Sequence, residues 1–341
     1  MTRKTSTVAF LVMLTALTPL AMAGDATWVQ DYDEALAIAK KEGKDLLVDF
    51  TGSDWCGWCI RLNEEVFHTD KFKGWAPDQF VLTMLDFPRG EDVKAKVPNP
   101  ERNQELQQAW GVQGFPTIML VSSTGKPYAK TGYQAGGPAA YIEHLQTLKK
   151  DGHAALSKLE DLSKAFEGAQ GAEKDVVLGK IVDELGGLPE GSPLATSLLA
   201  HAEQALVADP DNAKGLKLKA VKALMNAGRA DENVVAAAKE LDPKNENGLL
   251  ERIVYAKMPR SEDQVAAFCK AMDELDAVGK IHDADIAKML YVNAAMMNFH
   301  YTGNKDAAKK YAAKAKAVLD EGNQQDARFL QALEPILGGG S

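Results

Sequence analysis

The sequence predicts an α/β domain followed by an all-α helical-repeat domain. In the first part of the chain, short apolar runs of strand length alternate with amphipathic segments, a pattern typical of a mixed sheet covered by helices on both faces. Beyond about Asp151 the strand signals disappear, and Ala-rich amphipathic segments recur between short Gly, Pro and Asn breaks. We therefore expect the α/β domain over residues 24–150 and the helical domain over residues 151–341.

Residues 1–23 have the pattern of a secretory signal peptide. Arg3 and Lys4 precede an apolar run from Val8 to Leu20, which is too short to span a bilayer and leads to Ala21-Met22-Ala23. The short run disfavours an uncleaved anchor, and the expected cut after Ala23 is not followed by the cysteine of a lipoprotein. We expect a periplasmic or secreted protein, in a compartment where disulfides persist.

Composition and charge limit the classes of partner. With 341 residues and 45% hydrophobic content, the chain can bury a substantial core and does not have the composition of a disordered protein. Its net charge of −9 argues against nucleic acid and anionic membranes as partners. No segment after residue 23 has the length of a membrane helix, so the protein is not expected to be membrane-embedded. Its 3 cysteines are too few for a disulfide scaffold, which favours a catalytic use of a cysteine pair.

Local patterns place the elements of the α/β domain in order. Gly43 and Gly111 each follow an amphipathic segment and are expected to end a helix. Continuous apolar runs of strand length indicate buried strands. The predicted elements are a helix over 28–42, a strand over 45–50, a helix opened by Cys56, a strand over 80–86, a helix over 101–110, a strand over 118–121, an edge strand over 128–131 and a closing helix over 139–149.

Two features that follow the Cys56 helix have less specific patterns. Residues 87–100 contain three prolines, mixed charge and no apolar period, which predicts a surface loop. A loop of this kind can select partners, but an insertion without a role fits the pattern equally. His68 lies about three helical turns from Cys56, so we expect a polar helix-end residue that does not act on the thiol.

Cys56 and Cys59 form the strongest candidate site. The apolar run over 45–50 and the polar break over 51–54 place Cys56 at the N-terminus of a helix. Because the first helical N–H groups lack partners and the macrodipole favours negative charge there, a thiolate is stabilised at this position. Cys56 is therefore the candidate nucleophile. Cys59 lies one turn further and is expected to be more buried, which suits closing or resolving a disulfide.

Three other uses of the cysteine pair fit less well. A structural disulfide across so short a loop would remove little chain entropy, roughly 2 kcal/mol against roughly 4.7 kcal/mol for a loop of 100 residues. Tetrahedral zinc requires four ligands, and the sequence has no second Cys pair and no His pair at metal spacing. An inert buried pair fits poorly beside Gly57 and the polar break. The spacing thus favours redox chemistry.

The motif Val48-Asp49-Phe50 followed by Trp55-Cys56-Gly57-Trp58-Cys59 resembles the thioredoxin superfamily, in particular its exported thioredoxin-like branch. The resemblance covers roughly residues 25–150 and implies the thioredoxin fold for the α/β domain. It also implies that Cys56 is the exposed nucleophile and that Cys59 resolves the mixed disulfide. The Cys56–Cys59 disulfide would then be the redox group, with no separate cofactor and no metal.

The resemblance gives Asp49 a role as well. A buried carboxylate at this place assists proton transfer to and from the second cysteine, which is Cys59 here. The spacer from Asp49 to Cys56 is one residue longer than in ordinary thioredoxins, and Gly57-Trp58 replaces the usual Gly-Pro.

A second motif, Gly114-Phe115-Pro116-Thr117, leads into a predicted strand. In thioredoxin-like proteins a proline in this context is cis and faces the Cys pair, which the resemblance transfers to Pro116. The alternative is an ordinary trans turn. The backbone of Phe115 would pair with an extended substrate peptide. Further substrate contacts are expected from Trp55, Gly57, Trp58 and Thr117.

Two breaks in the helical domain are similar to each other. Ala208-Asp209-Pro210-Asp211-Asn212 and Leu241-Asp242-Pro243-Lys244-Asn245 stand 33 residues apart, close to the tetratricopeptide period. We therefore expect tetratricopeptide-like stacking, which offers a concave surface to peptides or proteins. Cys269 shares the apolar face of a helix and is expected to be a buried core residue.

These features together predict an exported thiol–disulfide oxidoreductase that acts on protein or peptide disulfides, as a reductase or an isomerase. We expect a membrane or periplasmic redox partner, and a client or partner bound by the helical domain. Two alternatives remain open. One is a non-catalytic binding or scaffold protein with a thioredoxin-like docking module, and the other is a chaperone that uses both domains.

Overall fold

The computed structural model describes residues 27–189, 191–259 and 261–338. The predicted signal peptide over 1–23 lies outside these residues. The chain divides into two compact units, and the domain boundary after Lys150 stays a prediction. The first unit contains the described residues up to Leu106, Gln113–Lys126 and Thr131–Leu145, and the second contains Gln107–Val112, Pro127–Lys130 and the described residues from Gln146 onward.

A four-stranded mixed sheet has the order β2-β1-β3-β4. Strand β1 is parallel to β2 and antiparallel to β3, and all seven of its residues are buried. The continuous burial explains why this strand has no alternation of polar and apolar residues. The predicted thioredoxin-like α/β fold is confirmed. The strands are β1 (Asp45–Thr51), β2 (Phe80–Asp86), β3 (Thr117–Val121) and β4 (Pro127–Thr131).

Six α-helices precede, separate or directly follow the four strands along the chain. The first begins later than predicted, because Asp31 caps it with a side chain that accepts the N–H groups of Asp33 and Glu34. Val29, two residues before Asp31, forms a parallel bridge to Thr83 of β2. The helices are α1 (Tyr32–Glu42), α2 (Gly57–Leu62), α3 (Asp70–Gln79), α4 (Glu91–Lys94), α5 (Pro100–Ala109) and α6 (Gly137–Gly168).

Helix α6 continues well beyond its predicted end at Lys149. A single internal glycine weakens a helix by only about 1 kcal/mol, and Lys150, Ala154 and Ala155 close to Gly152 favour helix. Gly152 also has a packing reason to be small, because a Cβ atom there would collide with the ring of Tyr128. The helix therefore continues through Gly152 without a break.

Among the described residues from Gln146 onward, all regular secondary structure is helical, as predicted. Cys269 is free and buried on α12, where burial and then the charge of Asp273 raise the pKa of its thiol. No helix in the described ranges combines the length and the apolar character needed to cross a bilayer. The α-helices that follow α6 are α7 (Ala172–Gly187), α8 (Leu199–Ala208), α9 (Leu216–Asn226), α10 (Glu232–Leu241), α11 (Leu249–Ala256), α12 (Val265–Val278), α13 (Ala284–Met297), α14 (Lys305–Val318) and α15 (Gln324–Leu337).

The two similar breaks form the same turn, one between α8 and α9 and one between α10 and α11. Asp209 accepts the backbone N–H groups of Lys214 and Leu216, and Asp242 accepts those of Asn247 and Leu249 in the same way. The asparagine three residues after each aspartate has a positive φ, 52° and 56° respectively. The repeat is thus one of structure as well as sequence, while tetratricopeptide-like stacking stays a prediction.

We expect Asp242→Ala to lower the free energy of unfolding by roughly 2–3 kcal/mol, because it leaves buried N–H groups without their charged acceptor. Asp242 is 2% exposed, and the acceptor distances are 3.0 Å to both Asn247 N and Leu249 N. Urea unfolding followed by circular dichroism at 222 nm measures the change. Glu246→Ala removes an exposed carboxylate from the same turn and should have little effect. Equal losses in the two variants would contradict a capping role for Asp242.

Candidate active site

Cys56 lies at the N-terminus of α2, as the sequence predicted. The turn after β1 brings it there, because the carbonyl of Gly52 accepts the N–H of Cys56 at 2.9 Å. Cys56 is the N-cap residue, and its Sγ accepts the N–H of Cys59 at 3.2 Å. The two cysteines form a disulfide with their Cα atoms 5.2 Å apart. A sulfur that receives an N–H at a helix start is stabilised as a thiolate once the disulfide opens.

The predicted difference in exposure between the two cysteines is not found in the disulfide form. Cys56 is 6% exposed and Cys59 is 5% exposed. The exposed surface of the motif belongs to the flanking residues instead, with Trp55 37% and Trp58 55% exposed. Gly57 is exposed as well, and a Cβ atom there would meet nothing within 4 Å.

Asp49 is a buried carboxyl in the middle of β1, between Met84 of β2 and Ile118 of β3. It is 7% exposed, and its Oδ1 has no hydrogen-bond partner among the described residues. Burial, and then the charge of Asp86, raise the pKa of Asp49 to about 8. Asp86 itself accepts the N–H and the O–H of Ser53 at 2.9 and 2.5 Å, which fixes the turn after β1.

A cavity of about 470 Å³ lies between Asp49 and the inner side of α2. Cys59 and Asp49 both line it, so the structure brings the second cysteine of the pair and the predicted carboxylate to one space. His68 lines the same cavity. The other lining residues are Trp28, Thr51, Ser53, Ile60, Asn63, Glu64, Phe67 and Met84.

His68 is an exposed polar residue at a helix end, as expected from the sequence, and it also lines the cavity. Helix α2 passes into a π-helical turn over Asn63–Phe67, and His68 ends it by donating its N–H to the carbonyl of Asn63 at 2.8 Å. Although His68 is far from Cys56 along the helix axis, the cavity runs along the helix and reaches it. The local sequence around His68 gives no signal that this residue lines the cavity.

Trp55 is held in one orientation by four contacts. Its Nε1 donates to the carbonyl of Phe87 at 2.9 Å, and the guanidinium of Arg89 lies 3.9 Å from its ring centroid. The ring lies over Gly52, where a Cβ atom would come within 2.6 Å of it. The ring of Phe115 packs edge-on at 6.0 Å between centroids. Trp55 therefore packs structurally as well as presenting surface.

The segment 87–99, which was predicted to be a loop, contains the short helix α4 and is attached to the cysteine motif. The carboxylate of Asp54 accepts the N–H of Arg89 at 3.0 Å and that of Gly90 at 2.7 Å. These backbone hydrogen bonds hold the pKa of Asp54 below its ordinary value, and the one from Gly90 has the larger effect. Because this segment also contacts Trp55, its placement favours a role at the site over an insertion without a role.

Trp58 belongs to a second group of side chains beside the disulfide. Its ring centroid lies 5.1 Å from that of Tyr133, and the guanidinium of Arg61 lies 5.5 Å and 5.2 Å from the two rings. Glu65 accepts from Arg61 Nε at 2.7 Å and from Tyr133 Oη at 2.6 Å. Sequence analysis did not identify Tyr133, because it lies far from the motif in the chain.

The Phe115–Pro116 peptide bond is cis, as the resemblance implied. The contact between Phe115 and Trp55 brings this bond to the cysteine motif. Thr117 follows as the first residue of β3, opposite Phe50 of β1, and its Oγ1 donates to the carbonyl of Gly114 at 2.8 Å. The cysteine motif and the cis-proline motif therefore lie together at the end of the sheet where β1 ends and β3 begins.

Comparison with known proteins agrees with this geometry. The family model of the thioredoxin-like domain matches residues 32–149. Disulfide bond reductase DsbH of Chlamydia pneumoniae is 35% identical over 130 residues, which are 38% of this chain and 75% of the relative. Protein disulfide-isomerase A6 of Mus musculus is 31% identical over 134 residues, which are 38% of this chain and 27% of that protein.

Among solved structures, one described as DsbH oxidoreductase is similar, with 32% sequence identity and a TM-score of 0.33 over 40% of this chain and 93% of the other. The cysteine pair at the start of α2 and the cis-proline before β3 agree with the 35% identity to disulfide bond reductase DsbH over 75% of that relative. The chain therefore belongs to the thioredoxin-like family and carries the Cys-x-x-Cys pair of a thiol–disulfide oxidoreductase.

Proposed function

We propose that this chain is an exported protein disulfide reductase that exchanges electrons through Cys56 and Cys59. The observation that carries the proposal is the arrangement of the pair: Cys56 caps α2, and Cys59 shares a cavity with the buried carboxyl of Asp49. Reduction is favoured over isomerisation because the relative of which the match covers 75% is named a disulfide bond reductase. The Cys56–Cys59 disulfide would be the redox group, with no further cofactor.

Each reduction would proceed in two exchanges. The Cys56 thiolate attacks one sulfur of a substrate disulfide, forms a mixed disulfide and releases the other substrate sulfur as a thiolate that takes up a proton. Cys59 then loses its proton to the Asp49 carboxylate and attacks Cys56 Sγ, which releases the second substrate thiolate. The substrate gains two electrons, and the enzyme is left as the Cys56–Cys59 disulfide.

Asp49 is suited to this proton exchange because of its environment. With a pKa raised to about 8, its carboxyl has nearly the same proton affinity as a thiol, whose ordinary pKa is about 8.5. Proton transfer in either direction then costs little free energy.

Substrate and partners follow from the same surface. We propose that protein or peptide disulfides bind across Trp55, Gly57, Trp58, Phe115 and Thr117, with Pro116 beside the disulfide. A membrane or periplasmic dithiol protein would return the enzyme to its reduced form. The repeated turns of the second unit support a role in binding a client or partner, since stacked helical repeats present extended surfaces to peptides.

The equilibrium reduction potential of Cys56–Cys59 tests this proposal. We expect a value near that of thioredoxin, about −270 mV, in dithiothreitol or glutathione buffers. A value near about −180 mV would point to isomerisation, and one near about −120 mV to a disulfide donor. A pair that does not exchange at all in the native protein would overturn the redox proposal and favour the binding or scaffold protein.

A further inference from the structure

The cavity beside Asp49 has the properties of a hydrated space. Its volume of about 470 Å³ is far above the roughly 15 Å³ that a single water requires. The lining is mainly apolar, but it also contains the polar side chains of Thr51, Ser53 and Asn63 in addition to Asp49. Water in such a space finds the two to four polar partners that it needs.

Asp49 needs a route for protons, because it is only 7% exposed and its Oδ1 has no hydrogen-bond partner among the described residues. The titratable neighbours come from several elements. Burial and then the charge of Asp86 on β2 raise the pKa of Asp49, and burial and then the charge of Asp49 raise the pKa of Tyr141 on α6. Asp86 is engaged by Ser53, and the hydroxyl of Tyr141 donates to the carbonyl of Gly132 at 3.1 Å.

His68 and Glu64 are the two titratable residues that line the cavity and are also exposed to solvent. They stand on and just after the π-helical turn Asn63–Phe67, at the end of the cavity away from Cys56. A neutral imidazole has one nitrogen that donates a hydrogen bond and one that accepts, whereas a carboxylate only accepts. His68 is therefore the better placed of the two to connect solvent with the cavity.

We infer that His68 relays protons between solvent and Asp49 through this cavity during disulfide exchange. When a dithiol donor attacks Cys56 Sγ, the Cys56–Cys59 bond breaks and its electron pair goes to Cys59 Sγ. The proton of Asp49 passes to that sulfur, Asp49 takes a proton from cavity water, and the water takes one from His68, which solvent reprotonates. His68 does not touch the sulfur atoms and acts through Asp49.

The test is the single-turnover reduction of the oxidised full chain by dithiothreitol, followed by tryptophan fluorescence between pH 6 and pH 8. We expect His68→Gln to slow the reaction roughly tenfold at pH 7 and to leave the equilibrium reduction potential unchanged. Added imidazole buffer should restore most of the rate. A side chain with only a structural role would not be replaced by a small base in solution.

His282→Gln is the matched control, since His282 is exposed and lies outside the cavity. It should behave as the wild type at every pH. A wild-type pH profile for His68→Gln, or a slow rate that imidazole does not restore, would overturn the relay. This inference rests on the proposed exchange at Cys56–Cys59, and that exchange is tested separately by the wild-type protein in the same assay.

Discussion

Cys56→Ser should abolish disulfide exchange, with a loss of activity of at least about a thousandfold, because no other thiol in the site can make the first attack. Cys59 is a buried residue within α2 that lines the cavity with Asp49, whereas Cys56 caps the helix and its Sγ accepts the Cys59 N–H. Cys59→Ser should permit the first attack but not its resolution. Reduction of a fluorescent peptide disulfide measures the loss.

The trapped intermediate distinguishes the two roles. Mass spectrometry under non-reducing conditions should find the substrate bound to Cys56 in Cys59→Ser and no adduct in Cys56→Ser. Cys269→Ser is the control, since that thiol is buried in the second unit and its pKa is raised by burial. Retained exchange in Cys56→Ser, or an adduct on Cys59 in the wild type, would contradict the assignment of the nucleophile.

Local sequence was sufficient for the parts of the site that one segment builds. The strand before Cys56, the helix after it and the proline before β3 each have a pattern within a few residues, and each was placed correctly. The same holds for the turn at Asp242, whose hydrogen-bond donors lie within seven residues of it. These features depend on backbone hydrogen bonds over short distances, which residue type alone can indicate.

Features built from distant segments were not predictable in this way. The fixed orientation of Trp55 depends on the carbonyl of Phe87 and the guanidinium of Arg89, both more than 30 residues away. The helix-end position of His68 was expected, but separation along a helix does not report that His68 and Cys59 line one cavity. The end of α6 was misplaced because the packing of Tyr128 against Gly152 is a tertiary contact. Each of these features depends on a residue that is distant in the chain and that the local pattern does not indicate.

We expect Asp49→Asn to be more stable than the wild type at pH 8 and close to it at pH 4. The pKa of Asp49 is raised from 3.8 to about 8 in the folded protein, first by burial and then by the charge of Asp86. Since the folded state holds this proton more tightly, stability is greatest below about pH 4 and falls as the pH rises toward 8. The shift corresponds to at most about 6 kcal/mol, and we expect a few kcal/mol.

Urea unfolding of the oxidised protein, followed by tryptophan fluorescence from pH 4 to pH 8, measures this difference. Any packing cost of the buried amide is the same at each pH, so the change with pH isolates the carboxyl. Asp54→Asn gives the opposite sign, because backbone hydrogen bonds from Gly90 and Arg89 lower the pKa of Asp54 and its contribution is lost only on acidification. Parallel pH profiles for Asp49→Asn and the wild type would contradict a buried, protonated Asp49. A variant that is more stable and also resolves the mixed disulfide slowly would show that the carboxyl of Asp49 both lowers stability and exchanges the proton of Cys59. If resolution is unchanged, another group takes that proton.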